Sequence, residues 1–325
     1  MAFHQKKEST RPLENTGFAT DRIDANKRFV NKNGSPNVAM TGISPLQRFH
    51  GYHYMLSLPN WRFFLLIVFF YFVINFIFAT LYIAIGIEHL AGVITGSFFD
   101  NFVEAYFFSA QTLTTVGYGR ISPVGLPANI LSSFEALIGI MTLAIITGLL
   151  YGRFTKPRAF IKFSNNAIIA PFQDGFGLMV RIAPSKLNSI SELFATMTVS
   201  LNEEIDGIIK SNFYSVPLQL DKLMNLALSW TIVHPIDSDS PLFNMTKEDI
   251  DTKRVQVIVH LKGFDEGFSN TVVARTGYVW NEIKTNVRFK PMFKYLEEDK
   301  KTVLELHKLS ETEEILATPN AVKNA

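Results

Sequence analysis

The chain has 325 residues, with 31 Lys and Arg against 29 Asp and Glu, 29 Phe and no Cys. The missing cysteines exclude a disulfide framework and thiolate chemistry, and a formal net charge of +2 lacks the basic footprint of a nucleic-acid binder. The averages hide a partition: between Phe63 and Gly152 the only Asp, Glu, Lys or Arg are Glu88, Asp100, Glu104, Arg120 and Glu135. That block reads as a membrane domain. The opening MAFHQKKEST has no apolar core, so no signal peptide is expected there.

Residues 1–47 are polar, with Gly and Asn scattered through NKNGSPNVAMTGIS, and read as an exposed, partly extended cytoplasmic arm. From Arg48 to Pro59 the apolar Phe49, Tyr52 and Leu56 share a helical face, with His50, His53 and Ser57 off it. This predicts an amphipathic interfacial helix over 48–60. Trp61 and Arg62 follow, an aromatic and a cation suited to anchoring at headgroups. Phe63 to Ile87 carries no charge and extends about 37 Å as a helix, enough to span with tilt. Asn75, its strongly polar interior residue, is expected to bond a neighbouring helix. After an outer loop over 88–100, Phe102 to Leu113 is too short to span and reads as a re-entrant helix, its C-terminal dipole end aimed at a cavity.

Thr114 to Gly119 reads TTVGYG, and its last five residues spell the potassium-filter signature. A dehydrated potassium ion needs about eight oxygens, which carbonyls supply only if consecutive C=O groups face one axis. Gly117 and Gly119, lacking Cβ, permit the positive φ this requires. Thr115 adds a hydroxyl, while Val116 and Tyr118 point away and brace the loop. The potassium site is therefore expected at Thr115, Val116, Gly117 and Tyr118, with Gly119 closing the filter. GYG alone is equally a turn; the short aromatic helix before it and the apolar helix after it favour the filter. One loop cannot surround an ion, so four chains must meet on an axis.

Gly125 to Gly152 reads as the second spanning helix. Gly139 is a candidate hinge, and both it and Gly148 are alternatively close-packing positions. Glu135 either braces the short helix or contacts ions. Nine Lys or Arg precede Phe63 against four acids, and Arg153, Lys156, Arg158 and Lys162 follow Gly152 with no acid before Asp174. Both termini are expected in the cytoplasm, with a bacterial inner membrane the expected location. Pore residues thus cover 61–155.

Beyond Ala159 the pattern has period two. Leu193, Ala195, Met197, Val199 and Leu201 alternate with Phe194, Thr196, Thr198 and Ser200, and Val255, Val257, Val259 and Leu261 repeat the alternation. This predicts an antiparallel sandwich over 156–300, then a charged tail over 301–325.

Arg28-Phe29-Val30-Asn31-Lys32-Asn33-Gly34 followed by Asn37-Val38 resembles the RFVxKxGxxNV segment of inward-rectifier potassium channels. With the filter, it identifies the chain as a member of that family. Ser240-Pro241-Leu242 after His234-Pro235-Ile236-Asp237, and YVWNEI from Tyr278 to Ile283, resemble the family's cytoplasmic domain. The resemblance implies two transmembrane helices plus a re-entrant pore helix, and a C-terminal all-β immunoglobulin-like cytoplasmic sandwich that extends the pore. It implies a homotetramer conducting potassium passively, with no cofactor. Leu143 and Tyr151 take the family's gate positions, Tyr151 being alternatively an interfacial anchor. Gly263 to Thr271 matches its glycine loop or is a surface hairpin. Arg62, Arg153, Lys156 and Arg158 resemble its anionic-lipid or phosphoinositide cluster, although positive-inside topology alone explains such charges.

The chain departs from eukaryotic relatives at Gln111 and Ile121, where the family pattern has a glutamate and an arginine, so that ion pair cannot form. Gln111 and the RFTKP ending resemble prokaryotic members. Arg120 either depresses the cation concentration at the outer mouth or is simply solvated, the latter being expected, and the apolar Leu143 implies weak rectification. No His lies in HExxH spacing; His234 reads as a satisfied core residue. No catalytic constellation is present, so an enzyme is not expected. The rival reading is a non-conducting membrane sensor.

Overall fold

The computed structural model describes residues 12–13, 16–17, 27–39, 41–42, 44, 51–156, 159–186, 190–205, 208–296 and 300–315. These divide into a membrane unit, 41–156, and a β-rich unit formed by 1–40 with 157–325.

In the membrane unit, α1 (Gly51–Ser57) leads through Pro59 into α2 (Asn60–Ile85). Arg48, Phe49 and His50 lie outside the described residues. A short strand β1 (Leu90–Ala91) precedes α3 (Phe98–Leu113), and β2 (Ser122–Pro123) precedes α4 (Gly125–Phe154). Helix α3 begins four residues before the expected Phe102, because Ser97 and Asp100 form a capping box that stabilises an earlier start. The longer helices α2 and α4 have mean hydropathies of 2.6 and 2.0, yet only 17% and 11% of their apolar windows are buried. A soluble core helix would hide those windows. Here the apolar faces point outward, as lipid requires.

The β-rich unit is a two-sheet sandwich. One sheet has the order β11-β10-β6-β7, with β8 also on β6. Its strands are β6 (Ile190–Ile205), β7 (Ile208–Val216), β8 (Lys222–Asn225), β10 (Gln256–Asp265) and β11 (Asn270–Val279). The other has the order β12-β4-β5-β3, with β9 also on β5. It comprises β3 (Ile161–Phe163), β4 (Ala167–Phe172), β5 (Gly175–Pro184), β9 (Trp230–Ile236) and β12 (Ile283–Thr285). The alternation works as read: Leu193, Met197, Val199, Val255, Val257, Val259 and Leu261 are fully buried, while Phe194 is 44% exposed. They meet Leu178, Val180, Ile182 and Ile232 from the opposite sheet. A one-residue slip would turn that whole row outward.

Two expectations about the flanks are corrected. The N-terminal arm is docked at Phe29, Val30 and Gly34, while Asn33 and residues 35–39 stay exposed. Phe29 and Val30 are 5% and 4% exposed; Phe29 meets the Phe213 ring edge-on at 4.8 Å, and its N–H donates to Gln256 Oε1 at 3.1 Å. Arg28 and Lys32 pair with Glu282 at 2.9 and 3.1 Å, and Lys32 Nζ lies 3.9 Å from the Tyr278 ring centre. Gly277 permits the approach, since a Cβ there would lie 2.3 Å from the Val30 carbonyl oxygen. The arm's RFVxK segment and the YVWNEI segment thus clasp each other. Burial opposes ionisation of Glu282, but its bonds to Arg28, Val279 N–H and Lys32 hold it below the ordinary glutamate range.

The segment read as a tail from 301 is part of the fold to Ile315. Strands β13 (Val287–Phe289) and β16 (Thr312–Glu314) pair, as do β14 (Phe293–Leu296) and β15 (Lys301–Leu304). Leu309 is 5% exposed beside Ala183 and Met292. The organising group is Arg181 on β5, whose guanidinium donates to the carbonyls of Leu309, Lys308 and Lys290 and stacks over Phe289. Burial lowers it to about 10, Glu311 partly opposing the shift.

His234 is fully buried and satisfied. Nδ1 lies 2.8 Å from the Pro217 carbonyl and Nε2 2.8 Å from Ser240 Oγ. The carbonyl only accepts, so Nδ1 carries the hydrogen of the neutral ring. Gly263 to Thr271 spans the hairpin turn between β10 and β11, where Asp265 Oδ1 accepts from the N–H groups of Gly267 and Phe268.

Candidate functional site: the filter loop and its supports

The filter loop leaves α3 at Leu113 with alternating backbone. Thr115, Gly117 and Gly119 have positive φ, at 59°, 53° and 84°, whereas Val116 and Tyr118 do not. Alternating handedness turns successive peptide planes so that carbonyls collect on one side of a ribbon. The two glycines adopt this without strain, but Thr115 is β-branched and disfavours it by about 1–3 kcal/mol. Thr115 was missed as a strained position because its type gives no hint of positive φ. Local hydrogen bonds hold it. The Gln111 carbonyl accepts from Val116 N–H at 2.9 Å and Gly117 N–H at 3.3 Å, and Thr115 N–H donates to the Thr112 carbonyl at 3.0 Å.

Beyond the loop, the exit strand is pinned. Leu90 and Ala91 pair with Pro123 and Ser122, and Val124 N–H donates to the His89 carbonyl at 2.8 Å. Arg120 is not merely solvated: its guanidinium pairs with Glu104 on α3 at 2.5 Å. Where Gln111 and Ile121 cannot make an ion pair, Arg120 and Glu104, about two helical turns before Gln111 on α3, do. Ile121 is instead buried at 7% exposure.

Behind the loop lies a polar cluster. Ser109 Oγ is 3.0 Å from Asn75 Oδ1 and 2.5 Å from Glu135 Oε1, while Tyr82 O–H donates to Glu135 Oε2 at 2.7 Å. Asn75, Ser109 and Glu135 are fully buried. Glu135 on α4 thus bonds Tyr82 on α2 and Ser109 on α3, and Asn75 bonds a neighbouring helix. Gly139 is a close-packing position: a Cβ there would lie 2.0 Å from the Leu113 carbonyl oxygen, and α4 continues through it. Nothing lies within 4 Å of a Cβ at Gly148.

The remaining predicted residues are not gathered at the loop. Leu143 and Tyr151 on α4 are 65% and 70% exposed. Arg62 and Lys156 are exposed, and Arg158 lies outside the described residues. Arg153, read in the sequence as part of the lipid cluster or of the positive-inside charge, is engaged within the protein. It donates to the carbonyls of Met55 and Leu58 at 2.7 Å each and to Asn60 Oδ1 at 2.6 Å, and lies over Phe63. Orphan carbonyls at the end of α1 attract it. Sequence reading missed this because Arg153 and its partners lie 93 to 98 residues apart.

Comparison with known proteins bears on both units. Residues 63–156 match an ion channel family, and residues 161–325 match the inward rectifier potassium channel C-terminal domain. Fold and site thus define a two-helix membrane channel carrying a β-sandwich domain. The inward rectifier potassium channel Kirbac3.1 of Paramagnetospirillum magnetotacticum is 33% identical over 286 residues, 87% of this chain and 95% of that protein. The ATP-sensitive inward rectifier potassium channel 12 of Gallus gallus is 26% identical over 331 residues, covering 93% of this chain and 76% of the relative. Inward rectifier potassium channel 18 of Homo sapiens is 26% identical over 330 residues, covering 93% and 75%. The chain belongs to the inward rectifier potassium channel family, and its likeness to the bacterial member fits the prokaryotic pattern at Gln111.

Proposed function

We propose that four copies of this chain form a passive potassium pore whose ion sites are the carbonyls of Thr115, Val116, Gly117 and Tyr118 with the Thr115 hydroxyl. The observation that carries this reading is the alternation of positive φ at Thr115, Gly117 and Gly119, the backbone form that gathers carbonyls. The exposure of Val116 and Tyr118, 52% and 80% in one chain, supports assembly, because bracing groups need neighbours. Rings of Leu143 and Tyr151 close the inner pore by dewetting. Arg62 and Lys156, with Arg158, meet anionic lipid such as phosphoinositide, each cation contributing about 1 kcal/mol near the leaflet. Arg153 couples α1 to α4 and so transmits that contact. Both termini face the cytoplasm. The apolar Leu143 implies weak rectification.

The test is rubidium uptake by liposomes containing the purified full chain, with and without anionic phosphoinositide. Uptake that barium blocks, that sodium does not compete for, and that the lipid alters supports the proposal. No uptake from a folded tetramer in any lipid would favour a non-conducting sensor.

A further inference from the structure

We infer that Glu135 carries a proton at neutral pH and acts as a hydrogen-bond donor, making it a positioning residue that fixes the pore helix α3 behind the filter loop. The argument is a count of hydrogens. Three buried contacts run in series: Asn75 Oδ1 to Ser109 Oγ, Ser109 Oγ to Glu135 Oε1, and Glu135 Oε2 to Tyr82 O–H. Each contact needs one hydrogen between its two oxygens. The Ser109 and Tyr82 hydroxyls own one each. Asn75 cannot supply the third by turning its amide over, because its Nδ2 already donates to the Tyr71 carbonyl at 2.7 Å. A flip would set oxygen against oxygen there.

The third hydrogen therefore sits on Glu135. With it, the chain closes: Tyr82 donates to Oε2, Oε1–H donates to Ser109, and Ser109 donates to Asn75. Without it, Ser109 must abandon either Asn75 or Glu135, leaving two acceptors face to face. Tyr82 is 1% exposed and the other three residues are fully buried, so bulk water does not reach the gap. The elements packed around Glu135 present few titratable groups to it. Tyr82 comes from α2, whose Asn75 is neutral, and α3 offers Ser109. Glu104 and Arg120 are bonded to each other, and Asp100 caps α3 at Ser97.

The relay ties α2, α3 and α4 together. Ser109 lies two residues before Gln111, whose carbonyl holds the Val116 and Gly117 amides. The inference rests on the filter reading only for what α3 supports; the proton itself is read independently of conduction.

The experiment is infrared spectroscopy of the full-length protein in lipid at neutral pH, comparing wild type with Glu135→Gln and Tyr82→Phe. The expected result is a protonated-carboxyl C=O band that Glu135→Gln removes. Tyr82→Phe keeps the ring but withdraws the hydrogen bond to Oε2, so the same band should move to higher frequency. A spectrum in which Glu135→Gln removes no such band overturns the inference, and so does a band that Tyr82→Phe leaves unmoved. If Glu135→Gln fails to fold, the Tyr82→Phe comparison decides alone. Because no flux is measured, failure here is separate from failure to conduct.

Discussion

Strands β6 and β10 of the β-rich unit and helix α4 of the membrane unit hide different kinds of residue. In the β-rich unit the hidden row is Leu193, Met197, Val199, Val257 and Val259, with Phe194 and Thr196 between them exposed and Thr198 half-buried. In the membrane unit the hidden residues of α4 are Ala128, Glu135, Gly139 and Leu149, while Phe134, Leu137, Ile140 and Leu143 are exposed. Water makes apolar burial the driving force in the first. Lipid removes that force between helices, so small residues and hydrogen bonds hold the second together. A glycine or a carboxyl is therefore structural in one unit where a valine is in the other.

Substitutions sharpen this contrast, the largest effect first. Gly139→Ala places a methyl against the Leu113 carbonyl and should cost more than about 3 kcal/mol. The expected outcome is loss of the folded, ion-conducting protein, read by size-exclusion profile and rubidium uptake. Arg181→Met leaves the Leu309, Lys308 and Lys290 carbonyls without their donor. It should destabilise the β-rich unit by about 2–3 kcal/mol, seen as a lower urea midpoint and faster proteolysis near residue 305. Glu282→Gln weakens the clasp to Arg28 and Lys32 by about 1 kcal/mol, the groups being partly solvated; protease cleavage near residue 28 should rise.

The fourth prediction concerns pH. Burial pushes His234 below its ordinary value, so the unfolded chain binds its proton first. Stability from this site is complete above about pH 6.5 and falls as pH drops toward the depressed folded value. Replacing His234 with Gln should flatten that part of the urea-midpoint profile. The smallest effect is Gly148→Ala, where a Cβ meets nothing. It should leave stability within about 0.5 kcal/mol, and a large loss there would break the distinction between the two glycines of α4.

Local patterns were legible in the sequence, and distant pairings were not. Five residues from Thr115 to Gly119 spell the filter signature, and the alternation from Leu193 to Leu201 announces a strand, because each signal is contained in its own stretch. The docking of Arg28 on Glu282 joins residues 254 apart, and Arg181 reaches 128 residues to Leu309. Neither position carries a periodic cue. Arg120 looked solvated because its partner, Glu104, sits on the far side of the filter in sequence. Thr115 looked ordinary because its positive φ is imposed by bonds to Gln111 and Thr112 and not by its own preference. The start of α3 was the exception: Ser97 with Asp100 was a readable cap.

The most direct test of the central claim is anomalous diffraction from crystals of the full chain grown in rubidium. The account predicts four copies around one axis, with rubidium on that axis level with the carbonyls of Thr115, Val116, Gly117 and Tyr118. Rubidium away from those carbonyls, or an assembly without a four-fold axis through the loop, would contradict it.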